Sequence, residues 1–334
     1  SDDANIQIEL DGASCPSCGQ ALLISSGGST IKGLAIHGSF NNGIEVNGSG
    51  STLAGNFFGL KANGTADGVI ASGVYLNNTS NNTIGGNSPA DRNVVSANRD
   101  GIFIAAGAAD ATNNVISGNY IGTDTSGMEV LGNTQRGIFV GSFGSTASDN
   151  TISGNLISGN GHFGILLRDG NVTGNSVVGN QVGVNANGNS ALPNGHSESG
   201  DDGLAGTNAR AGIYVAGPDN TIGGTESGNT IAFNSGSGVN VASGTGNTIL
   251  GNSIFSNDGL GIDLGGDGLT FNHQGAISGP NNYQNYPVLF LATSNGSTTR
   301  LVGTLDSEAN QNDTIRVYTN PACDPTFFGE GQSY

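Results

Sequence analysis

Three polar insertions contain the residues best suited to chemistry, and two of the insertions hold clustered carboxylates. The longest contains the adjacent pair Asp201 and Asp202 and ends beside Arg210, while the middle one contains Asp124. Two nearby carboxylates can act as acid and base in glycoside cleavage, and carboxylate oxygens also bind Ca²⁺. The insertions lie at about residues 59–72, 122–136 and 183–211.

These residues support two hypotheses about a site, one catalytic and one metal-binding, and a simpler interpretation without a site. Asp201, Asp202 and Arg210 are the candidate catalytic groups. Asp124 joins Asp201 and Asp202 as a candidate set of metal ligands, with Ca²⁺ as the expected ion. The simpler interpretation is that the insertions are solvated polar loops without a site, and no other cofactor is expected.

The cysteines and histidines match no familiar ligand spacing. Cys15 and Cys18 form a Cys-Pro-Ser-Cys segment and Cys323 stands alone, so we expect a structural role, either a local disulfide or buried thiols. Metal binding or redox chemistry at the cysteines remains the alternative. The four histidines are expected in corners or loops, with His162 as a surface polar group; they are His37, His162, His196 and His273.

The elements that position these residues are set by a repeat in which Gly precedes alternating apolar residues. Copies begin at positions 43, 73, 101, 137, 164, 212, 238 and 261. Between them runs a second pattern, Asn-x-Ile-x-Gly-Asn-x-Ile, with clear copies starting at positions 114, 150 and 247. Alternation predicts short strands with isoleucine, valine and leucine on one side. Gly and Asn tolerate the left-handed backbone angles of sharp corners.

One rung of this kind cannot bury its apolar side alone, so the repeat predicts stacked rungs. Each strand would pair in parallel with its equivalent about 4.8 Å above and below, and corner asparagines would form amide ladders. The longest spacing, 48 residues, predicts one further rung near Val182-Gly183-Val184. The three insertions should emerge on the same side of successive rungs and form one shelf.

An aromatic stripe follows from the same alternation. Tyr75, Phe103, Phe139 and Tyr214 stand between two inward apolar residues of equivalent strands, so they should face outward. The stripe is either a ligand-binding track for sugars or a packing surface between rods, and the second interpretation is slightly favoured.

The pattern resembles the right-handed parallel β-helix (PbH1-type) repeat proteins of bacteria over about residues 6–290. The segment 119–127, Asn-Tyr-Ile-Gly-Thr-Asp-Thr-Ser-Gly, is similar to rungs of long bacterial secreted and surface proteins of this type. The resemblance implies an all-β solenoid. It also extends to polysaccharide lyases, glycoside hydrolases, tailspikes and adhesins. The chain lacks the Arg-Ile-Lys segment of pectinase-like hydrolases and has only Lys32 and Lys61 as lysines, so enzymatic activity is uncertain and not favoured.

Composition agrees with a β-solenoid and limits the partners. Glycine occupies 59 of 334 positions, and charged residues make up 10%, against about 25% in ordinary domains. The net charge of −17 disfavours nucleic acid, because phosphate contacts require clustered Lys and Arg. No apolar run of about 18 residues predicts a membrane span. The opening Ser1-Asp2-Asp3 is read as a processed product whose leader has been removed.

The C-terminal part departs from the repeat. We expect a parallel β-helix over 1–290 and a partial antiparallel, Ig-like β-sandwich segment over 291–334, with strands at 299–305 and 314–319. About 45 residues are too few for a sandwich of about 100. Either the natural chain continues, or another subunit supplies a missing strand.

The expected function is that of an extracellular structural or adhesive surface protein, secreted or held at the bacterial cell surface. Its partners would be further copies of itself, joined end to end or side by side, in a fibre built by β-strand complementation. The alternative is a β-helix that binds or degrades polysaccharide.

Overall fold

The repeated Gly-apolar segments form strands that stack in parallel. The computed structural model describes residues 6–15, 18–196, 210–307, 314–320 and 331–332. Within them the chain winds into a right-handed parallel β-helix with three long sheets, followed by an antiparallel hairpin. The predicted fold class is therefore confirmed.

Sheet 1 and sheet 2 each contain nine strands. Sheet 1 is built from Ile8–Asp11, Leu34–His37, Phe57–Phe58, Val94–Val95, Tyr120–Ile121, Leu156–Ile157, Gln181–Val182, Thr230–Ala232 and Ser253–Phe255. Sheet 2 is built from Gln20–Ile24, Asn42–Val46, Ser72–Asn77, Asp100–Ala106, Arg136–Ser142, Phe163–Arg168, Ala211–Val215, Ser237–Val241 and Ile262–Leu264.

Sheet 3 and a small fourth sheet complete the rungs. Sheet 3 contains Thr30–Lys32, Thr52–Ala54, Thr83–Gly85, Val115–Ser117, Thr151–Ser153, Ser176–Val178, Thr221–Gly223 and Thr248–Leu250. Sheet 4 contains Ala111–Thr112, Ala147–Ser148 and Val172–Thr173. Two 3₁₀ turns, Pro89–Asp91 and Pro280–Tyr283, occupy loops, and no helix in the described ranges is long and apolar enough to cross a bilayer.

The core is a set of apolar columns, because equivalent residues of successive rungs are aligned in register. In sheet 2, Ile102 pairs with Ile138, Ile138 with Ile165, and Ile165 with Ile213. All four are fully buried. Each rung therefore completes the core of its neighbours, as the repeat predicts.

Three asparagine ladders run along the corners, and they confirm the predicted amide stacking. Within a ladder, each asparagine donates from Nδ2 to the Oδ1 of the asparagine in the next rung. The backbone N–H of each donor except Asn194 bonds the same Oδ1. The first ladder is Asn82–Asn114–Asn150–Asn175–Asn220–Asn247. The second is Asn56–Asn93–Asn119–Asn155–Asn180–Asn229–Asn252. The third is Asn98–Asn133–Asn160–Asn194–Asn234–Asn257.

The prediction of one further rung near Val182-Gly183-Val184 is wrong. Phe163–Arg168 pairs directly with Ala211–Val215, so the 48-residue spacing covers a single rung. Val182 belongs to the sheet 1 strand of that rung, and the additional residues form the long insertion. A loop can lengthen a rung without changing its register because the strands alone fix the stack.

The C-terminal region forms one hairpin, in which Val288–Ser294 pairs antiparallel with Thr299–Thr304. The predicted strand at 299–305 is thus present, but the one predicted at 314–319 is not: residues 314–318 have no strand conformation. Ile315 and Val317 alternate as in a strand yet remain exposed, because no second sheet among the described residues covers them. Gly331 instead pairs with Ile254 of the last sheet 1 strand.

Candidate functional site

The outward column of sheet 2 is continuous and in register. It contains the four residues of the predicted aromatic stripe. Phe103, Phe139 and Tyr214 belong to a cluster separate from the solenoid core, and the Tyr75 ring stacks on Phe103. The full column is Leu23–Glu45–Tyr75–Phe103–Phe139–Leu166–Tyr214–Asn240–Asp263.

The rings of this column stack on one another, which limits what they can bind. Phe103 lies between Tyr75, at a centroid distance of 5.1 Å, and Phe139, at 4.4 Å with an interplanar angle of 5°. A sugar stacks on an exposed ring face, but both faces of Phe103 are occupied. Phe139 and Tyr214 are only 4% and 5% exposed, whereas Tyr75 and Phe103 are half-buried. Burial, with a smaller contribution from the Glu45 carboxylate, raises the pKa of Tyr75.

In the described residues, which leave out 197–209 of the third insertion, the three insertions stack as predicted and form one shelf beside sheet 1. Each begins with a small hairpin, closed by the bridges Leu60–Ala66, Thr123–Val130 and Val184–Ala191. Ala186 N donates to Gly127 O at 2.9 Å and ties the third hairpin to the second. Gly64 of the first hairpin lies beside Thr125 of the second.

Asp124, the candidate calcium ligand of the shelf, has its carboxylate turned into its own hairpin. Oδ1 accepts the N–H groups of Met128 at 2.9 Å and Glu129 at 3.0 Å, and Oδ2 accepts the Ser126 hydroxyl at 2.6 Å. Burial opposes its ionisation, but these hydrogen bonds together lower the pKa of Asp124 below its usual value. These three hydrogen bonds are sufficient to close the turn of the hairpin.

The remaining predicted site residues are only partly placed. Asp201 and Asp202 lie outside the described residues, as does Cys323. Arg210 lies half-buried directly before the strand Ala211–Val215, and its carbonyl accepts the Ser237 N–H at 3.2 Å.

A four-residue group that sequence reasoning missed lies at the N-terminal end of the shelf; we call Glu9, Asp11, His37 and Asp67 the His37 cluster. Asp11 and His37 end neighbouring strands of sheet 1 and are aligned in register. The first shelf hairpin folds back so that Asp67 N–H donates to Gly59 O and Asp67 O accepts Gly38 N–H, each at 2.8 Å. This places Asp67 Oδ2 2.9 Å from His37 Nδ1.

The expectation that the histidines lie in corners or loops is wrong for His37, which ends a sheet 1 strand and is 1% exposed. His162 lies in a bend as expected, but it is buried and is not the surface group that was predicted. A signal for the cluster existed in the sequence. Asp11-Gly12 and His37-Gly38 stand one rung apart at the same strand end. The contribution of Asp67 could not be read, because it depends on how the hairpin folds back.

Two further features complete the chemistry of the described chain. Cys15 and Cys18 form a disulfide, one of the two structural roles expected for them. Asp100 and Arg136 form a buried ion pair at 3.3 Å beneath the aromatic column; burial raises the pKa of Asp100, and Arg136 and Arg99 oppose that shift.

Comparison with known proteins places the chain in a family. A family model described as "Periplasmic copper-binding protein (NosD)" matches residues 16–217, more than half of the chain. No curated protein matches. Among solved structures, the chain is similar to the Dettilon tailspike protein (gp208), with 18% identity and a TM-score of 0.28 over 84% of this chain and 67% of that chain. The family match covers most of the rungs and the three insertions, and the chain therefore belongs to the NosD family.

Proposed function

We propose that this protein is an extracytoplasmic structural solenoid that joins to further copies of itself through its C-terminal hairpin, residues 288–304. The observation that carries the proposal is the exposed apolar strand Val288–Ser294. All of its seven residues are exposed, which is unusual for a strand so rich in Val, Leu and Phe.

The hairpin has the properties of a strand acceptor. It has only two strands in the described chain, so each has a free edge with unpaired backbone groups. Beside it, a cleft of about 860 Å³ separates the hairpin from the last rung and is lined by Ile254, Leu260, Ile262 and Leu289, among others. A strand from a second copy would satisfy the edge and cover the apolar side chains.

The solenoid itself suits a rigid spacer. Sheets 1 and 2 each run through nine rungs, and the asparagine ladders join six or seven of them. At about 4.8 Å per rung, the stack is roughly 40 Å long. Joined copies would extend that length without loss of stiffness, since each rung contacts only its neighbours.

Two observations support a location outside the cytoplasm. The Cys15–Cys18 disulfide favours an oxidising compartment, and the matched family model describes a periplasmic protein. The same description names copper binding, and the proposed function does not include it. In the described residues Cys15 and Cys18 are oxidised and Met128 is half-exposed, so no thiolate and thioether set for Cu⁺ is assembled.

Light scattering across a concentration series tests the self-association. The full chain should form dimers and larger species, Phe290→Lys should remain monomeric, and Phe271→Lys should behave like the parent. Phe290 and Phe271 are 63% and 74% exposed, so both variants should fold. A parent chain that stays monomeric at every concentration would contradict the proposal.

Glycan binding on the sheet 2 face is the second candidate, favoured by the adjacent half-buried Glu45, Tyr75 and Asn77. Asn77 Nδ2 donates to Glu45 Oε1 at 3.1 Å. Glu45 is the neighbour of Tyr75 in the column and lies at the Tyr75 end of the ring stack. A polysaccharide-binding screen of the parent and Tyr75→Ala tests this. Binding that Tyr75→Ala leaves unchanged would exclude the column as the track.

A further inference from the structure

The His37 cluster holds the donor atoms of a metal site. We infer that it binds one divalent transition-metal ion of the Zn²⁺ type through His37 Nδ1 and the carboxylates of Asp11 and Asp67. This site is independent of self-association, since it lies at the end of the solenoid opposite the C-terminal hairpin.

The spacing of the donor atoms fits a small ion. His37 Nδ1 lies 2.9 Å from Asp67 Oδ2 and 3.8 Å from Asp11 Oδ1, and one donor atom from each of the three residues lies within 4.8 Å of the others. Zn²⁺ binds N and O donors at about 2.0–2.2 Å, which sets tetrahedral donors roughly 3.4 Å apart. The two separations between His37 Nδ1 and the carboxylate oxygens differ from that value by about 0.5 Å or less.

The second nitrogen of His37 provides an independent observation. Nε2 is buried and has no hydrogen-bond partner among the described residues, and Glu9 Oε2 lies 3.7 Å away. A histidine that binds a metal through one nitrogen usually donates the other N–H to a carboxylate, which fixes its tautomer. Glu9 is held in place for this role, because its Oε1 accepts the Ala62 N–H at 2.6 Å.

Charge and access point the same way. Three carboxylates surround one imidazole, and the Lys61 ammonium lies 3.7 Å from Asp67 Oδ2. With His37 neutral, the group carries a net charge of −2, which a divalent ion would neutralise. The Asp11 and Asp67 side chains are 54% and 36% exposed, so an ion can enter and retain water on its open side.

Isothermal titration of chelator-treated full-length chain with Zn²⁺ tests the site. One equivalent should bind, and the melting temperature should rise with Zn²⁺ concentration. Asp67→Asn and His37→Gln should each weaken binding more than 10-fold. Asp149→Asn, which changes an exposed carboxylate in the same solenoid, should change it less than twofold.

Cu²⁺ serves as a spectroscopic probe, because imidazole and carboxylate donors accept it as well. Its electron paramagnetic resonance spectrum should show coupling to one imidazole nitrogen, and His37→Gln should remove that coupling. Circular dichroism checks that each variant is folded; if His37→Gln is not, Asp67→Asn and Asp11→Asn carry the test.

Three results would overturn the inference. The first is the absence of saturable Zn²⁺ binding at one equivalent. The second is Zn²⁺ affinity that folded His37→Gln or Asp67→Asn leaves unchanged. The third is Ca²⁺ binding tighter than Zn²⁺, which would identify an oxygen-only site.

Discussion

Asn155 Oδ1 accepts two hydrogen bonds from Asn119 one rung away, from the backbone N–H at 2.9 Å and from Nδ2 at 3.0 Å. Asn155 Nδ2 in turn donates to Ile116 O at 2.9 Å and to Asn180 Oδ1 at 3.0 Å. One side chain thus satisfies polar groups of both neighbouring rungs, in a corner where the asparagines are almost fully buried.

Asn155→Ala should destabilise the solenoid by about 1–3 kcal/mol, because it leaves the buried Asn119 N–H without the acceptor it has in the parent and removes one hydrogen bond from the Ile116 C=O. Urea denaturation measures the change. Asn187→Ala, at an exposed position of the third shelf hairpin, should cost much less. Equal losses in the two variants would contradict the role of the ladder.

Gly122→Ala should destabilise the protein far more than Gly154→Ala. Both glycines have positive φ, 90° and 63°, so both substitutions carry the cost of about 1 kcal/mol for an L-residue in that region. Only at Gly122 would the added Cβ collide with the Ser158 carbonyl of the next rung; around Gly154 the space is open. Thermal unfolding distinguishes the two, and similar melting temperatures would show that rungs separate easily.

Asp100→Asn should cost about 3–5 kcal/mol, because it removes the buried carboxylate that pairs with the Arg136 guanidinium at 3.3 Å. Both side chains of the pair are no more than 5% exposed. Asp91→Asn, which breaks the exposed pair with Lys32, should cost less than about 1 kcal/mol. Guanidinium unfolding measures both variants, and a small effect at Asp100 would argue that water enters beneath the aromatic column.

Asp124 should stabilise the shelf at neutral pH and lose that effect in acid. Its pKa is lowered in the folded chain, so its contribution is present above the unfolded pKa of about 3.9 and disappears as the pH falls through the lower folded value. The melting temperature of Asp124→Asn should lie below that of the parent at pH 7 and approach it as the pH falls below about 3.9. A constant difference across this range would exclude the titration of Asp124 as its cause.

Most of the fold could be predicted from the sequence, because each strand and corner of a solenoid depends on a short local pattern of residues. The Gly-apolar copies predicted the sheet 2 strands, and the corner asparagines predicted their ladders, since each depends only on alternation and on what Gly and Asn tolerate. The shelf followed for the same reason. The extra rung near Val182 was wrong because a spacing in sequence does not reveal whether additional residues form a rung or a loop.

The candidate sites were harder to predict from the sequence, because their side chains come from different rungs and meet only in the folded chain. The sequence by itself determined the parallel β-helix, its inward isoleucine columns and its outward aromatic column, through short-range alternation repeated many times. Only the tertiary structure decided that Phe103 has both ring faces covered and that His37 is buried beside Asp67. Those relationships depend on register between distant segments and on the fold-back of a loop, which no local pattern encodes.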